Sequence, residues 1–557
     1  MTNVEIADNF SLLGKLMDIH GENSFKSKSY GTAAFTIEKL PTELSEMELK
    51  KIASIRGIGD TIAQKVSEQL LTGKLQLLEE FITNTPKGIL EMLSIKGIGP
   101  KKIATIWKEL SIETIGELLY ACEENRLMLY KGFGEKTQQN IKESIQFYLG
   151  AQGSYLYQQI ENFAYNVDAK LKSFFKNPHF YITGTFKRQL EVIDTLDWVT
   201  TTTKNEITTF FTSNGYQLIV DEGNYSSFKG QENVLLGFYS VAENNIQTQL
   251  FKTSCSAVFL ESWEREIGTD KNKNYPTEAA IFSANNVHFI PPFLREDSSV
   301  ISKAKEGELP KVIEVMDIRG IIHSHSKWSD GNNTLEEMTR AAIEKGYEYL
   351  VISDHSKTAF YAQGLPVEKV LAQHEQIDYL NEQFTPFKIF KSIESDILND
   401  GNLDYESDIL NKFDVVIASI HSNLKMSEEK AMMRLLTAIE NPFTSILGHL
   451  TGRLLLSRNG YPVDHQKIID ACFANNVVIE LNAHPRRLDI DWRWITKALD
   501  KNILISINPD AHSIDGFADC KYGVLAAQKA GLTAKQNLSS FSLQEFELFV
   551  EQQKKKR

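Results

Sequence analysis

The run IIHSHSKWSDG places His323 and His325 two residues apart at the end of an apolar stretch, with Asp330 shortly after. Residues two apart on a strand share a face, so both imidazoles can reach one cation. Similar groups end later apolar runs: Asp354-His355 after YLVIS, Glu394 in FKIFKSIE, His421 after VVIAS, His449 after SILG, and Asp510 with His512 after ILISINP. Glu480, after VVI, is a further acid. One such residue alone is most often an ordinary core or surface group. Recurrence at equivalent positions is different, and it points to a shared metal centre. The four cysteines lie far apart with no CxxC, which argues against both a thiolate site and a disulfide framework. Mixed histidine and carboxylate ligands suit zinc, manganese or iron.

Such residues need a scaffold that gathers them. After residue 315, β-rich runs alternate with helical stretches, the pattern of parallel strands joined by helices. In a parallel barrel the carboxyl ends of the strands meet at one mouth, so a closed or nearly closed β/α barrel is expected over 316–545. Asp354 and Glu480 are expected to orient ligands and not to bind metal themselves.

The first 150 residues carry a different signal. SIRGIGDTIAQKV and SIKGIGPKKIATI repeat at an offset of 40 residues, and LYKGFGEKTQQNI is a looser third copy. A helix, a Gly-hydrophobic-Gly turn and a second helix leave amide N–H groups free at a helix start, where an anion is stabilised. Gly57 and Gly59, then Gly97 and Gly99, would let a phosphate approach the backbone, with Lys101 and Lys102 adding charge alongside Lys96 and Lys108. This arrangement grips a DNA backbone without reading its sequence.

These repeats resemble helix-hairpin-helix motifs, and with FKSKSYGTAAFTI and LLTGKL they are similar to the amino-terminal region of family X DNA polymerases. By that resemblance Lys65 corresponds to a lysine that attacks abasic sugars as a Schiff-base nucleophile. The segment ITGTFKRQLEVIDTLDWV resembles the family's palm signature: Gly184, Thr185, Lys187 and Arg188 match the triphosphate-contacting positions in type, and Asp197 matches the second of two metal-binding aspartates. Thr195 stands at the first, and Asp194 is displaced by one residue, which on a strand is the opposite face. The later run NVLLGFYSV, where a third carboxylate belongs, has no acid. Two-metal nucleotidyl transfer needs those oxygens, so an inactive polymerase centre is expected. YPTEAAIF and FIPPFLRE resemble the end of the thumb.

The carboxy-terminal half resembles the polymerase and histidinol phosphatase (PHP) domain, a distorted TIM-like barrel with three metals, through the ligand runs and through GHLTGR, IELNAHPRRLD and PDAHS. The resemblance implies that His323, His325, Glu394 and Asp510 surround one metal. Glu394 then bridges to a second held with His421 and His449, and Asp330, His355 and His512 hold a third. It also makes Arg453 and Arg487 candidate phosphate clamps. Leu450 and His484 depart from the family phrase without removing a ligand.

The expected organisation is a lyase-like helix-hairpin-helix domain (1–80), a fingers-like helix-hairpin-helix domain (81–150), a degenerate α+β palm (151–240), a thumb-like domain (241–300), a linker (301–315) and the PHP domain (316–545). The main boundary falls near residue 310. With 42% hydrophobic and 24% charged residues, and no apolar run near the roughly 18 residues of a membrane span, a globular protein is expected. The acidic start MTNVEIADNF fits neither a secretory signal nor a transit peptide, so a cytoplasmic location is expected. A net charge of −13 argues against nucleic-acid binding in total, though not where basic residues are grouped locally.

The reading is therefore a DNA-binding, metal-dependent phosphodiesterase of DNA repair, acting as a 3′–5′ exonuclease or at abasic-site ends on gapped, nicked or primer–template DNA. About three divalent ions are expected, and no obligate protein partner is inferred. The alternative is a small-molecule phosphatase of the histidinol-phosphate type, which has no need of a DNA grip.

Overall fold

A computed structural model describes residues 1–557 except 41, 96, 151–152 and 271–272, so Lys96 lies outside the described residues. The chain forms two compact units, Met1–Tyr148 and Leu149–Arg557.

The first unit is helical. Its three Gly-hydrophobic-Gly turns share one backbone solution: Gly57, Gly97 and Gly132 take φ of +94°, +91° and +96°, a region that disfavours any side chain. The intervening Ile58, Ile98 and Phe133 are buried, which locks each turn to its helices. Their N–H groups close the turns onto Ile55, Ile95 and Tyr130 carbonyls at 2.9, 3.3 and 3.1 Å. Gly59 and Gly99 then start Asp60–Thr72 and Pro100–Lys108 without a side-chain cap, so the first amides of both helices receive no capping side chain.

The second unit opens with a five-stranded sheet in the order Phe180–Thr183, Thr195–Thr200, Leu235–Ser240, Tyr225–Lys229, Gln217–Glu222. Trp198, Phe211, Phe228 and Phe238 form much of its core. A helical layer follows around Phe251, Trp263 and Phe282.

The fully buried Arg295 sits among those rings, paired to Glu278 at 2.5 Å and to the Ile290 carbonyl at 2.8 Å. Glu278 also meets Lys187 at 3.3 Å, while Glu296 takes Arg188 at 2.5 Å. The acids of YPTEAAIF and FIPPFLRE thus hold the two bases matched to triphosphate contacts.

Residues 301–315 differ from the expected linker. Ser299–Glu306 is a helix whose Val300, Ile301 and Ala304 are buried, and Ile313 belongs to the barrel core. Apolar residues at positions i, i+1 and i+4 put one helical face inward, and that decides the outcome over the polar composition. For the same reason residue 310 is not the main break. The sheet domain packs directly on the barrel through Lys521 and Glu161 at 2.7 Å and Lys529 and the Gln189 carbonyl at 2.6 Å.

The barrel has seven strands in sequential order, Gly320–Ser324, Tyr349–Ile352, Lys388–Asp396, Val415–Ser419, Ile446–Leu447, Val478–Asn482 and Ile505–Asn508. Every pairing among them is parallel. Their residues are almost all buried, as expected of strands covered on both sides. Closure is narrow: the His325 amide reaches the Ala511 carbonyl at 2.8 Å, and the Ala511 amide reaches His323 at 3.2 Å. The barrel is therefore distorted, with the first and last ligand runs forming its seam.

Candidate metal centre

Glu394 lies at the middle of the mouth. Its Oε1 is 3.0 Å from His449 Nε2, 3.1 Å from His421 Nε2 and 3.3 Å from His323 Nε2. Its Oε2 is 3.0 Å from His355 Nδ1 and 3.7 Å from His325 Nε2. Asp510 Oδ1 approaches His325 and His323 at 3.1 and 3.4 Å, and Asp330 Oδ2 approaches His512 and His355 at 3.5 and 3.6 Å. All nine residues selected from sequence thus lie around one centre, and all but the half-buried His421 are buried.

Three groups have ligand atoms close enough to share an ion: His323, His325 and Asp510; His355, Glu394 and His421; and His325, Asp330, His355 and His512. The grouping departs in detail from the resemblance, because His325 and His355 each stand between two groups.

The chemistry of the donor set fits cations. His323 Nε2, His325 Nδ1, both ring nitrogens of His355, Glu394 Oε2 and His449 Nδ1 are buried with no hydrogen-bond partner. Each such atom costs about 1–3 kcal/mol unless something takes its lone pair or proton. Burial opposes charge throughout. It would raise Glu394, yet His421, His323 and His355 hold that carboxyl well below its usual range. Burial would lower His421, yet Glu394 and Asp396 lift it to about 10. His325 is lowered by burial and by the neighbouring His512 and His355. Buried carboxylates and imidazoles shifted this far by one another mark a candidate functional site.

Local backbone helps aim the ligands. His323 and Asp510 hold φ of +64° and +52°, which is uncommon outside glycine, and the strand register shifts between Ile321 and Ser324. His323 and His325 therefore do not meet by simple strand alternation; a bulge turns them toward each other, with ring centroids 5.3 Å apart.

Supporting groups surround these residues. Glu480 Oε1 is 2.6 Å from His323 Nδ1, and its Oε2 accepts the His449 amide at 2.6 Å. Asp354 accepts Ser326 and Gln373 at 2.8 and 2.6 Å and lies outside the three groups, consistent with an orienting role. Asp396, which bonds His421 Nδ1, was not selected from sequence. It sits two residues after Glu394 on one strand, and that shared-face spacing was the available signal.

The two candidate arginines separate. Arg453 is committed to the protein: it donates to the Arg487 carbonyl at 3.0 Å and to the Leu488 carbonyl, and pairs with Asp491. That corrects its reading as a phosphate clamp, since its guanidinium already braces the loop. Arg487 is buried with Nε 3.9 Å from Asp510 Oδ2, at the edge of the centre.

In the helical unit, Lys65 pairs with Glu68 at 2.5 Å. Lys101 is exposed, and Lys102 lies 5.7 Å from the Phe133 ring, linking the second and third turns.

The palm-like sheet has no comparable cluster among the described residues. Asp197 is half-buried, and its loss of solvent raises its carboxyl to about 6 against the opposing Tyr225 hydrogen bond and Arg188 charge. Its strand partner is Gly237, where a Cβ would stand 2.1 Å from Asp197 Oδ1. Asp194 is tied to Ser154 at 2.6 Å.

Family models match residues 1–75 (helix-hairpin-helix domain), 89–146 (SAM-like helix-hairpin-helix tandem) and 322–484 (PHP domain). The chain is 32% identical to the DNA polymerase/3′-5′ exonuclease PolX of Bacillus subtilis, over 96% of each chain. A probable phosphatase of Thermoanaerobacter sp. is 27% identical over 38% of this chain and 86% of its own length. Another, from Caldanaerobacter subterraneus, is 29% identical over 27% of this chain and 56% of its own. The phosphatases match only part of the chain, whereas PolX matches nearly all of it, amino-terminal hairpins included: the chain belongs to the PolX family, the bacterial family X DNA polymerases joined to a PHP domain.

Proposed function

We propose that this chain is a DNA-repair nuclease that hydrolyses phosphodiesters at the PHP centre, as a 3′–5′ exonuclease or at abasic-site ends of gapped, nicked or primer–template DNA. The observation that carries the reading is the ring of nine ligand-type side chains around Glu394, with buried ring nitrogens left for cations. His323, His325, Asp510, Glu394, His421, His449, Asp330, His355 and His512 would hold about three divalent ions, zinc, manganese or iron. When bound, such ions supply Lewis acidity, activating water as a nucleophile and neutralising phosphate charge.

The protein's own groups do the rest. Glu480 and Asp396 fix the ring orientation of His323 and His421 by holding their Nδ1 atoms, so that Nε2 faces the centre. Arg487 offers positive charge to the phosphate beside Asp510. The hairpin turns at Gly57, Gly59, Gly97 and Gly99, with Lys101 and Lys102, grip the DNA backbone. Lys65, which donates to Glu68 at 2.5 Å, serves the abasic-end branch of the reading. The sheet domain acts as a platform without nucleotidyl transfer. A small-molecule phosphatase fits less well, because those relatives match only 38% and 27% of this chain.

A gel assay on 5′-labelled primer–template and abasic DNA, with chelator and then manganese, tests this. Degradation is expected in wild type, abolished by chelation and by His323→Ala. Undiminished degradation by His323→Ala would remove the barrel from the chemistry.

A further inference from the structure

A second feature of the barrel is a cavity of about 710 Å³ that lies apart from the ligand ring. Its walls come from the segments that follow the strands Val415–Ser419, Ile446–Leu447 and Val478–Asn482. Those same segments carry His421, His449 and Arg487, so the cavity opens on the metal-bearing side of the fold. Thr451 is two residues from His449, and it bonds Asp489, two residues from Arg487, at 3.0 Å.

The lining has two kinds of surface. His465 and Trp494, at the starts of two neighbouring helices, stack with centroids 4.5 Å apart and planes within 2°, and both are half-buried. Opposite in kind is the aliphatic Leu456, 46% exposed and held at φ +59°. Thr451, Arg458 and Tyr461 also line it, bonded to Asp489, the Gly452 carbonyl and the Leu450 carbonyl. A flat aromatic platform facing the same cavity as an exposed aliphatic side chain describes a site for a planar heterocycle. The volume lies in the range of small-molecule sites, about 300–1,000 Å³.

We propose that this cavity receives the terminal nucleoside of the DNA strand, with its base stacked on the His465–Trp494 pair while its phosphodiester lies at the metal centre. This rests on the nuclease reading above. It makes the enzyme sensitive to whether the end residue carries a base, which the metal centre alone does not distinguish.

Two measurements test it. In kinetics on otherwise identical oligonucleotides, wild type is expected to remove a base-bearing 3′ residue about tenfold more efficiently than an abasic one, the size of one base–aromatic stack. That ratio should fall to near one in Trp494→Ala and in Leu456→Asp, the latter an exposed position that leaves the helix packing alone. Equal handling of both ends by wild type, or a ratio unchanged in Leu456→Asp, would overturn the proposal. In chelator, without turnover, an oligonucleotide ending in 3′ 4-thiothymidine should photocrosslink within 451–465 or 492–499, and crosslinks confined elsewhere would overturn it. If wild type degrades no DNA, the nuclease reading fails, while the crosslink still reports on the cavity.

Discussion

Nδ1 of His323 lies 2.6 Å from Oε1 of Glu480, with both side chains fully buried. Glu480 also takes the His449 amide and the Asn508 side chain at 2.6 and 2.8 Å, so one carboxylate fixes two ligand-bearing segments. Glu480→Gln keeps the shape but weakens its hold on the His323 ring nitrogen. Metal affinity is expected to fall about 10- to 100-fold. Chelator competition followed by elemental analysis measures it, and an unchanged affinity would strip Glu480 of its orienting role.

The two arginines should part in their phenotypes. Arg453→Ala takes the guanidinium from the Arg487 and Leu488 carbonyls and from Asp491, which keeps Arg493 at 2.9 Å, and a loss of about 1–3 kcal/mol is expected in denaturant unfolding. Arg487→Ala should instead retain bound metal while lowering turnover on DNA, read as kcat with metal content measured on the same sample. Loss of metal in Arg487→Ala would make it a structural support of Asp510.

No nucleotide incorporation is expected on gapped primer–template, with magnesium or manganese. Thr195→Asp alone should not restore it. Gly237 faces Asp197 on the adjoining strand without space for a further carboxylate, and Lys187 and Arg188 are already paired to Glu278 and Glu296. Primer extension by wild type would refute the loss of the centre.

Asp197 gives a pH test of the same region. Its partial burial raises the carboxyl to about 6 from the ordinary aspartate value of 3.8. The folded state therefore binds this proton more tightly than the unfolded one. Its contribution is present below about pH 4, is lost as pH rises through 6, and leaves a net cost at neutral pH. Asp197→Asn should raise the Tm at pH 7.5 and confer little at pH 4. A lower Tm at pH 7.5 would mean that the ionised carboxylate is stabilised by something it binds.

The types and spacing of residues in the chain determined most of the candidate site. Each ligand closes an apolar run or follows one closely, and parallel strands must bring such ends to one face, so the list from His323 to His512 could be written without coordinates. The repeated glycines were legible for a similar reason, since a left-handed turn between helices narrows the choice to one residue type. What tertiary structure decided was whatever depends on partners distant in sequence. Arg453 reads as a free cation until Asp491 and the Leu488 carbonyl are seen around it. The polar segment 301–315 reads as a linker until its one apolar face meets two cores. His323 and His325 meet through a bulge at the barrel seam and not through strand alternation, because closure of the first strand onto Ala511 sets that backbone. Spacing along the chain encodes local periodicity; the fate of a charge or a loop is set by what folding places against it.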